Sequence, residues 1–599
     1  MVSNVAIAQN GEIVRTWVFN PNYTLSGNAK NYPGNKIPAP KSRFETFATI
    51  GSPIIFHDEQ PTERIHNLIK SDSLPKTAFT VDMWILDHVN QATGVLIAER
   101  SKTDNSKSNW LLGYYDGYVH FQINTSLGIK TLDYKLGKGW MKYWHHIVAV
   151  AEDGKMSLLV NGKTVKEEKV GSFEYNDDSN KELEVAGYFK NEPYMGISNL
   201  LKSCRLYKGV ANESDLKKRY HQLQKWVKSG HLTNEEFHFN AGPYLHYATQ
   251  NSVNIVWETN ELSLAKIKYG EDLELKEELS CNEAKYIHEI SIDNLEPDKL
   301  YYYEIETRSL SGSLMSSGVL TFGTAVNNND PISFCVIGDT ESRPQINQQI
   351  GSMIWEERPN FVLHLGDITD GGMKEHKFEW NYEYFTGITP IASRIPFFTV
   401  PGNGEGDLYW YKRYHRLPNN EEFYKFNYGN AEFFMLNSNA ESELQKGGKQ
   451  YKWLEDELMK SDATWKFVAH HHCPVSSDEN DFGNTWNGEK STEGDPKFND
   501  IIELYQKYGV DVVFFGHVHA YERTWPLLNG VASQQGGVVY IQSGGGGGNL
   551  EDFVPNHRTF SNRVQRGHHY CRVDIFENEF VFKMYDVEGA LKDYYTIKK

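Results

Sequence analysis

Cysteine is scarce and scattered: five (Cys204, Cys281, Cys335, Cys473, Cys571) occur in 599 residues, none in a CxxC spacing. A zinc ribbon is thereby excluded, and a disulfide framework is not expected. No apolar run approaches the roughly 18 residues that a membrane-spanning helix needs, so no transmembrane segment is expected. The first ten residues, MVSNVAIAQN, lack a basic region followed by an apolar stretch and do not read as a signal peptide. Positive charge is also short. Lys and Arg number 61 against 79 Asp and Glu, a net charge of −18. A nucleic-acid backbone or an anionic membrane needs a basic face, so neither is expected as the main partner.

What the chain has is apolar and aromatic mass: 39% hydrophobic residues, with 35 Tyr and 31 Phe. That is enough for several cores and excludes global disorder. At about 150 residues per domain the length suggests about four domains. Residues 1–212 consist of short alternating runs between turn signals, among them AFTVDMWIL (78–86), GYVHFQI (117–123), WHHIVAVAED (144–153) and MSLLVNGKTV (156–165). These read as half-buried antiparallel strands, and Asn161-Gly162 marks a tight hairpin. Many short strands at this spacing predict a sandwich or jelly roll. Residues 213–234 have helical period and high charge and read as a linker helix. Residues 235–326 alternate again as strands. From 327 to 599 continuous apolar runs alternate with helical stretches, the pattern of central strands covered on both faces in an α/β fold.

The runs FTVDMW, WHHIVAV, LLVNGK and SNLLKSCRLYKGVANESDLKKRY resemble the concanavalin A-like, laminin-G-like domains. The resemblance implies a two-sheet jelly roll that binds a glycan or calcium, or that has a purely structural role. LEPDKLYYYEIET (295–307) resembles the fibronectin-III-like sandwich that precedes the catalytic domain of purple acid phosphatases.

The chemistry gathers at the ends of the apolar strands. Asp339 follows ISFCVIG, Asp367 follows FVLHLG, Asn403 follows TVPG, His471 follows FVAH, and His517 and His519 follow VVFFG. In α/β folds ligands collect at the carboxyl ends of such strands. Carboxylate, amide oxygen and imidazole together suit Fe, Zn or Mn. Two such ions sharing one carboxylate would activate water and clamp phosphoryl oxygens.

The order GD, GD, GN, H, GHxH resembles the calcineurin-like metallophosphoesterases, and GHVHAYERTWP (516–526) is most similar to their purple acid phosphatase branch. The resemblance implies a four-layer α/β domain hydrolysing phosphate esters, monoester or diester, with a metal-bound hydroxide. It assigns Asp339 and His519 to a first metal, Asp367 to both, and Asn403, His471 and His517 to a second. The expected substrate is a small-molecule or glycan-linked phosphate ester, and the expected location is secreted, periplasmic or at the cell surface. The rival reading is a weakly active or inactive binding protein that keeps its metals.

Three departures bear on this. Asp370 stands where the branch has the tyrosine that colours the ferric site, so the protein is not expected to be purple. Glu341 stands where the wider superfamily has histidine, as a further ligand or a solvent-facing carboxylate. Gly404 stands where the motif Gly-Asn-His-Glu has the histidine that assists the leaving group, and a histidine pair beyond His471 is replaced by Asn480 and Asp481. Either another residue substitutes, the leaving group needs little protonation, activity is weak, or position 404 was changed deliberately. Candidate substitutes are His472, Glu405, Asp370, His415, Arg343 and Arg523, and each arginine reads first as a salt-bridge partner and second as a phosphoryl ligand. The glycines 544–548 read as a rim of the site, as a loop needing unusual dihedrals, or as both, and Tyr409, Trp410, Tyr411, Tyr414 and Trp486 either contact substrate or pack the lid over it.

Overall fold

The structure, a computed structural model, describes residues 11–18, 65–66, 74–87, 93–101, 108–115, 117–137, 139–141, 144–176, 181–187, 201–230, 237–477, 490–553 and 558–599. They fall into two compact units, Met1–Val227 and Lys228–Lys599.

The first unit is a sandwich of two six-stranded antiparallel sheets. Alternate residues of Phe79–Leu86 (Phe79, Val81, Met83, Ile85) meet Trp110, Leu112, Phe121 and Ile123 of the other sheet in one core. The hairpin between Lys155–Val160 and Lys163–Lys169 turns at Asn161 and Gly162, both at positive φ (51° and 75°), as a type I′ turn requires.

One strand departs from expectation. Trp144–Glu152 is buried on both faces, not half-buried. The reason is the helix Glu213–Lys228, expected as a linker, which lies on the sandwich's outer face. Tyr220 stacks 5.4 Å from His146 and 5.9 Å from Trp84. Beneath it Asp82 is fully buried between Arg219 Nε and His146 Nε2, each at 3.0 Å. Burial acts to raise the Asp82 carboxyl, but Arg219 and His146 hold it below the usual range.

In the second unit, the strands from Phe239–His246 to Leu320–Gly323 are antiparallel and enclose a cluster around Trp257, Ile267, Tyr303 and Phe322. This block, expected as a domain of its own at 235–326, shares a sheet with the strands that follow it: His246 pairs in parallel with Phe397.

The strands that carry the motif residues are β1 (Ile332–Ile337), β2 (Phe361–His364) and β3 (Phe397–Thr399) in that sheet. A second, seven-stranded sheet holds β4 (Ala431–Met435), β5 (Trp465–Ala469), β6 (Val512–Phe515) and β7 (Val539–Ser543). Within each sheet these neighbours are parallel. Between the sheets lies a layer of aromatic rings: Phe334 sits 5.3 Å from Phe433, 5.9 Å from Phe467 and 6.1 Å from Phe514. The alternate residues Phe434, Val468, Val513 and Phe515 face the other way, onto Leu454, Leu458, Ile501 and Leu504 of helices α1 (Lys449–Lys460) and α2 (Asn499–Lys507). Both faces are covered, which is why these strands read as unbroken apolar runs.

Candidate metal centre

Each strand ends where a ligand begins, and the turns are tight. Asp339, Asp367 and His517 all have positive φ (56°, 45° and 73°), a region that costs a non-glycine residue about 1–2 kcal/mol. Residues held this way cluster at functional sites. Two donor groups result, Asp339–Asp367–His519 and Asp367–His471–His517, with ligand atoms of each within 4.8 Å of one another. Asp367 belongs to both.

Around the second group, His471 Nε2 lies 3.2 Å from Asp367 Oδ2, 3.1 Å from Asn403 Oδ1 and 3.2 Å from His517 Nδ1. Around the first, His519 Nε2 is 3.5 Å from Asp339 Oδ1 and 3.5 Å from Glu341 Oε1. Backbone carbonyls set the ring orientation. Leu365 O is 2.8 Å from His471 Nδ1 and Asn549 O is 2.7 Å from His519 Nδ1, which aims each Nε2 into the site. The His517 N–H donates to Asp339 at 2.9 Å, and the His519 N–H to Glu551 at 2.9 Å.

This donor set suits a pair of cations. Three imidazoles and three carboxylates converge, and among the described residues no Lys or Arg side chain forms an ion pair with Asp339, Glu341 or Asp367. Protons hold it together instead. Burial pushes Asp339 up to about 6 and Glu341 well above its ordinary value. Burial alone would lower His471 and His519, but Asp367 lifts His471 to about 9, and Asp339 and Glu341 lift His519 to about 10. Asp367 resists the rise that burial favours, because His471 and the Gly404 N–H hold it below the usual range. Burial and the His471 charge lower His517 to about 3.

Of the proposed substitutes for the missing imidazole, Glu405, His472, Arg343 and Arg523 are all engaged by other groups. Glu405 is fully buried and works on backbone: Oε1 accepts from Ile368 (2.7 Å) and Thr369 (3.1 Å), Oε2 from Gly402 (2.6 Å). It pins the second motif's loop to the third. His472 Nδ1 is 2.8 Å from Ser438 Oγ, its ring 4.6 Å from that of His517. Arg343 donates to Gly547 O at 2.6 Å and to Asn549. Arg523 lies apart from the site, buried with Nε 2.7 Å from Asp593 Oδ2 and Nη2 3.1 Å from Oδ1, so its guanidinium serves the core rather than a phosphoryl group.

Tyr411 and Tyr414 are core residues. Trp410 donates to Lys374 O at 3.0 Å, and Tyr409 packs under Arg413. Asn480, Asp481 and Trp486 lie outside the described residues.

The glycine run is a backstop. Gly546 and Gly548 N–H donate to Gly338 O and Asp339 O at 2.9 and 3.0 Å. A Cβ on Gly544 would fall 2.1 Å from Val518 O, and one on Gly548 would fall 2.6 Å from the His519 ring. Sequence reasoning missed this support, as well as Leu365, Asn549, Ser438 and Glu551, because loop-to-loop contacts leave no periodic trace.

Residues 332–521 match the model of the calcineurin-like phosphoesterase family, and residues 63–216 that of the concanavalin A-like lectin/glucanases superfamily. The chain thus carries a calcineurin-like phosphoesterase domain behind a concanavalin A-like domain. Its relatives include purple acid phosphatases, some of them named inactive, and a nucleotide pyrophosphatase/phosphodiesterase of Hordeum vulgare. The probable inactive purple acid phosphatase 27 of Arabidopsis thaliana is 25% identical over 363 residues, 52% of this chain and 58% of that protein. The acid phosphatase type 7 of Danio rerio is 24% identical over 388 residues, 56% of this chain and 84% of that protein. The solved purple acid phosphatase PPD1 from yellow lupin (Lupinus luteus) seeds shares the fold, with a TM-score of 0.53 at 17% identity over 88% of this chain and 91% of that one.

Proposed function

We propose that this chain is a two-metal phosphoesterase. The observation that carries the reading is the membership of Asp367 in both donor groups. Asp339, Glu341 and His519 hold one ion, Asn403, His471 and His517 the other, and Asp367 both. A bound pair supplies positive charge for the phosphoryl oxygens and lowers the pKa of a water that attacks phosphorus. The chain's own groups hold that arrangement in place. The Gly404 N–H, 2.6 Å from Asp367 Oδ1, fixes the shared carboxylate. Leu365 and Asn549 fix the histidine tautomers, and the glycine run closes the site from behind.

The test is hydrolysis of paired aryl phosphate monoester and diester substrates by metal-reconstituted protein, with Asp367→Asn as control. Turnover that the substitution abolishes supports the reading, and the monoester-to-diester ratio assigns the subclass. Turnover unchanged in Asp367→Asn contradicts it. Two observations favour the rival reading of a metal-retaining binding protein: no imidazole stands at position 404, and two relatives are named probable inactive phosphatases.

In the same reading, residues 235–326 descend from a fibronectin-III-like sandwich, supported by their antiparallel strands and their own apolar cluster. The N-terminal domain takes carbohydrate, supported by its family match. The combination of domains suits an exported protein.

A further inference from the structure

A cavity of about 400 Å³ opens in the second unit between the loop after β5, helix α2 and strand β7, and none of the metal ligands lines it. Sites for small molecules run to roughly 300–1,000 Å³. Val475, Ile502 and Phe560 give it apolar walls, and Glu493, Asp495 and Glu503 give it carboxylates. No Lys or Arg lines it. Asp495 accepts from the Lys497 N–H at 3.0 Å, and Arg558 Nη1 lies 3.8 Å from Glu493. Glu503, exposed on α2, forms no ion pair among the described residues.

The remaining feature is a hydroxyl with nothing to bond. Tyr540 lines the cavity from β7 at 1% exposure, and its buried oxygen has no hydrogen-bond partner among the described residues. Tyrosines buried as deeply elsewhere in the unit are paired. Tyr244 donates to Tyr414 O at 2.8 Å, Tyr303 to Ser393 O at 2.6 Å and Tyr424 to Thr399 O at 2.9 Å. Burial raises the Tyr540 phenol, so it keeps its proton and stands as a donor. Buried polar groups are nearly always hydrogen-bonded, and an orphan at a cavity wall marks where a ligand atom belongs. Glu503 is exposed and Tyr540 buried, so the two mark the outer and inner ends of the cavity.

We infer that this cavity is a binding site for a small hydroxyaryl amine, separate from the metal centre. The aromatic ring lies against Val475, Ile502 and Phe560, the ammonium meets Glu503, and the hydroxyl oxygen accepts from Tyr540. Apolar walls with a few placed polar groups both hold and orient such a ligand. An aryl carboxylate of the same shape is rejected, because it would bring a fourth negative charge to three. The inference does not depend on the phosphoesterase reading.

Calorimetric titration of the metal-loaded full chain with tyramine, phenethylamine and 4-hydroxyphenylacetate at low ionic strength tests it. Tyramine should bind about tenfold more tightly than phenethylamine, which lacks the oxygen, the scale of one hydrogen bond to a buried group. It should bind at least about tenfold more tightly than the anion. Tyr540→Phe should bring tyramine down to the level of phenethylamine and leave phenethylamine unchanged. Glu503→Gln, at an exposed position, should weaken both amines about twofold to fivefold, a difference that fades in high salt. Since Tyr540→Phe removes only an unpaired hydroxyl, its unfolding midpoint should be no lower than that of the native protein. A lower midpoint would show that the hydroxyl is paired, and overturns the argument. Tyramine held no more tightly than the anion, or held equally by Tyr540→Phe and the native protein, overturns the assignment. So does the absence of binding up to about 10 mM amine, which leaves the cavity to solvent.

Discussion

Gly404→Ala tests the packing of the third motif with a single methyl group. The new Cβ would lie 1.8 Å from Thr369 O, so oxygen and carbon must separate by more than an ångström. Either loop that yields is tied down. Moving residues 369–372 strains the bonds of Gly371, Gly372 and Thr369 to Gly404 O. Moving 404 strains its N–H bond to Asp367 at 2.6 Å and the three bonds of Glu405. Overpacking costs about 1–3 kcal/mol, and one or two weakened hydrogen bonds add about 1 kcal/mol each, so about 2–5 kcal/mol of destabilisation is expected. Urea unfolding followed by a tryptophan signal of the second unit measures it as a drop in midpoint. Calorimetry with Zn²⁺ or Mn²⁺ should show weakened metal binding, because Asp367 loses a fixed partner. Gly404→His carries the same Cβ and should behave no better, rather than restoring a lost acid. An alanine variant with an unchanged midpoint and unchanged metal affinity would refute the reasoning, since it would mean that Thr369 does not occupy that space.

Other outcomes follow from buried charge. Asp593→Ala leaves Arg523 buried without its carboxylate and should cost about 3–5 kcal/mol in denaturant unfolding, with metal stoichiometry unaltered in the folded fraction. Arg219→Leu removes the cation from the fully buried Asp82 and should destabilise the first unit by a similar amount, read as earlier proteolysis of residues 1–227. In the metal-free protein, His471 and His519 are raised to about 9 and about 10 from an ordinary 6.5, so the folded state binds more protons than the unfolded state between these values. Stability should therefore fall as pH rises from about 6.5 through 9–10, and loading with metal should flatten the dependence. Calorimetry in buffers of different ionisation enthalpy should also register proton release on metal binding near pH 7.5.

The candidate ligands stood out because each follows an unbroken apolar strand, and burial on both faces writes that pattern into the sequence. Asp339, Asp367, Asn403, His471, His517 and His519 do converge as the order of motifs implied. What was not legible depends on contacts between loops. Nothing in local sequence places Thr369 O at Gly404, or Asn549 O behind His519. The helix Glu213–Lys228 was read as a connecting helix, and what docks it, Arg219 and Tyr220 through a buried carboxylate and stacked rings, shows only in the structure. Arg523 reads first as a salt-bridge partner, as it is, but its carboxylate, Asp593, lies near the chain's far end and could not be picked out from sequence. The strands of 239–323 were read correctly one by one, but their continuation into the sheet of β1, β2 and β3 rests on the single pairing of His246 with Phe397.

The central claim is that one carboxylate, Asp367, serves two ions. The direct measurement is metal content after reconstitution and desalting, by plasma mass spectrometry, for the native protein and Asp367→Asn side by side. The account predicts about two ions per chain in the native protein and one or fewer in the variant, with the fold retained by circular dichroism. Two tightly held ions in a folded Asp367→Asn variant, or a single ion in the native protein at saturating metal, would contradict it.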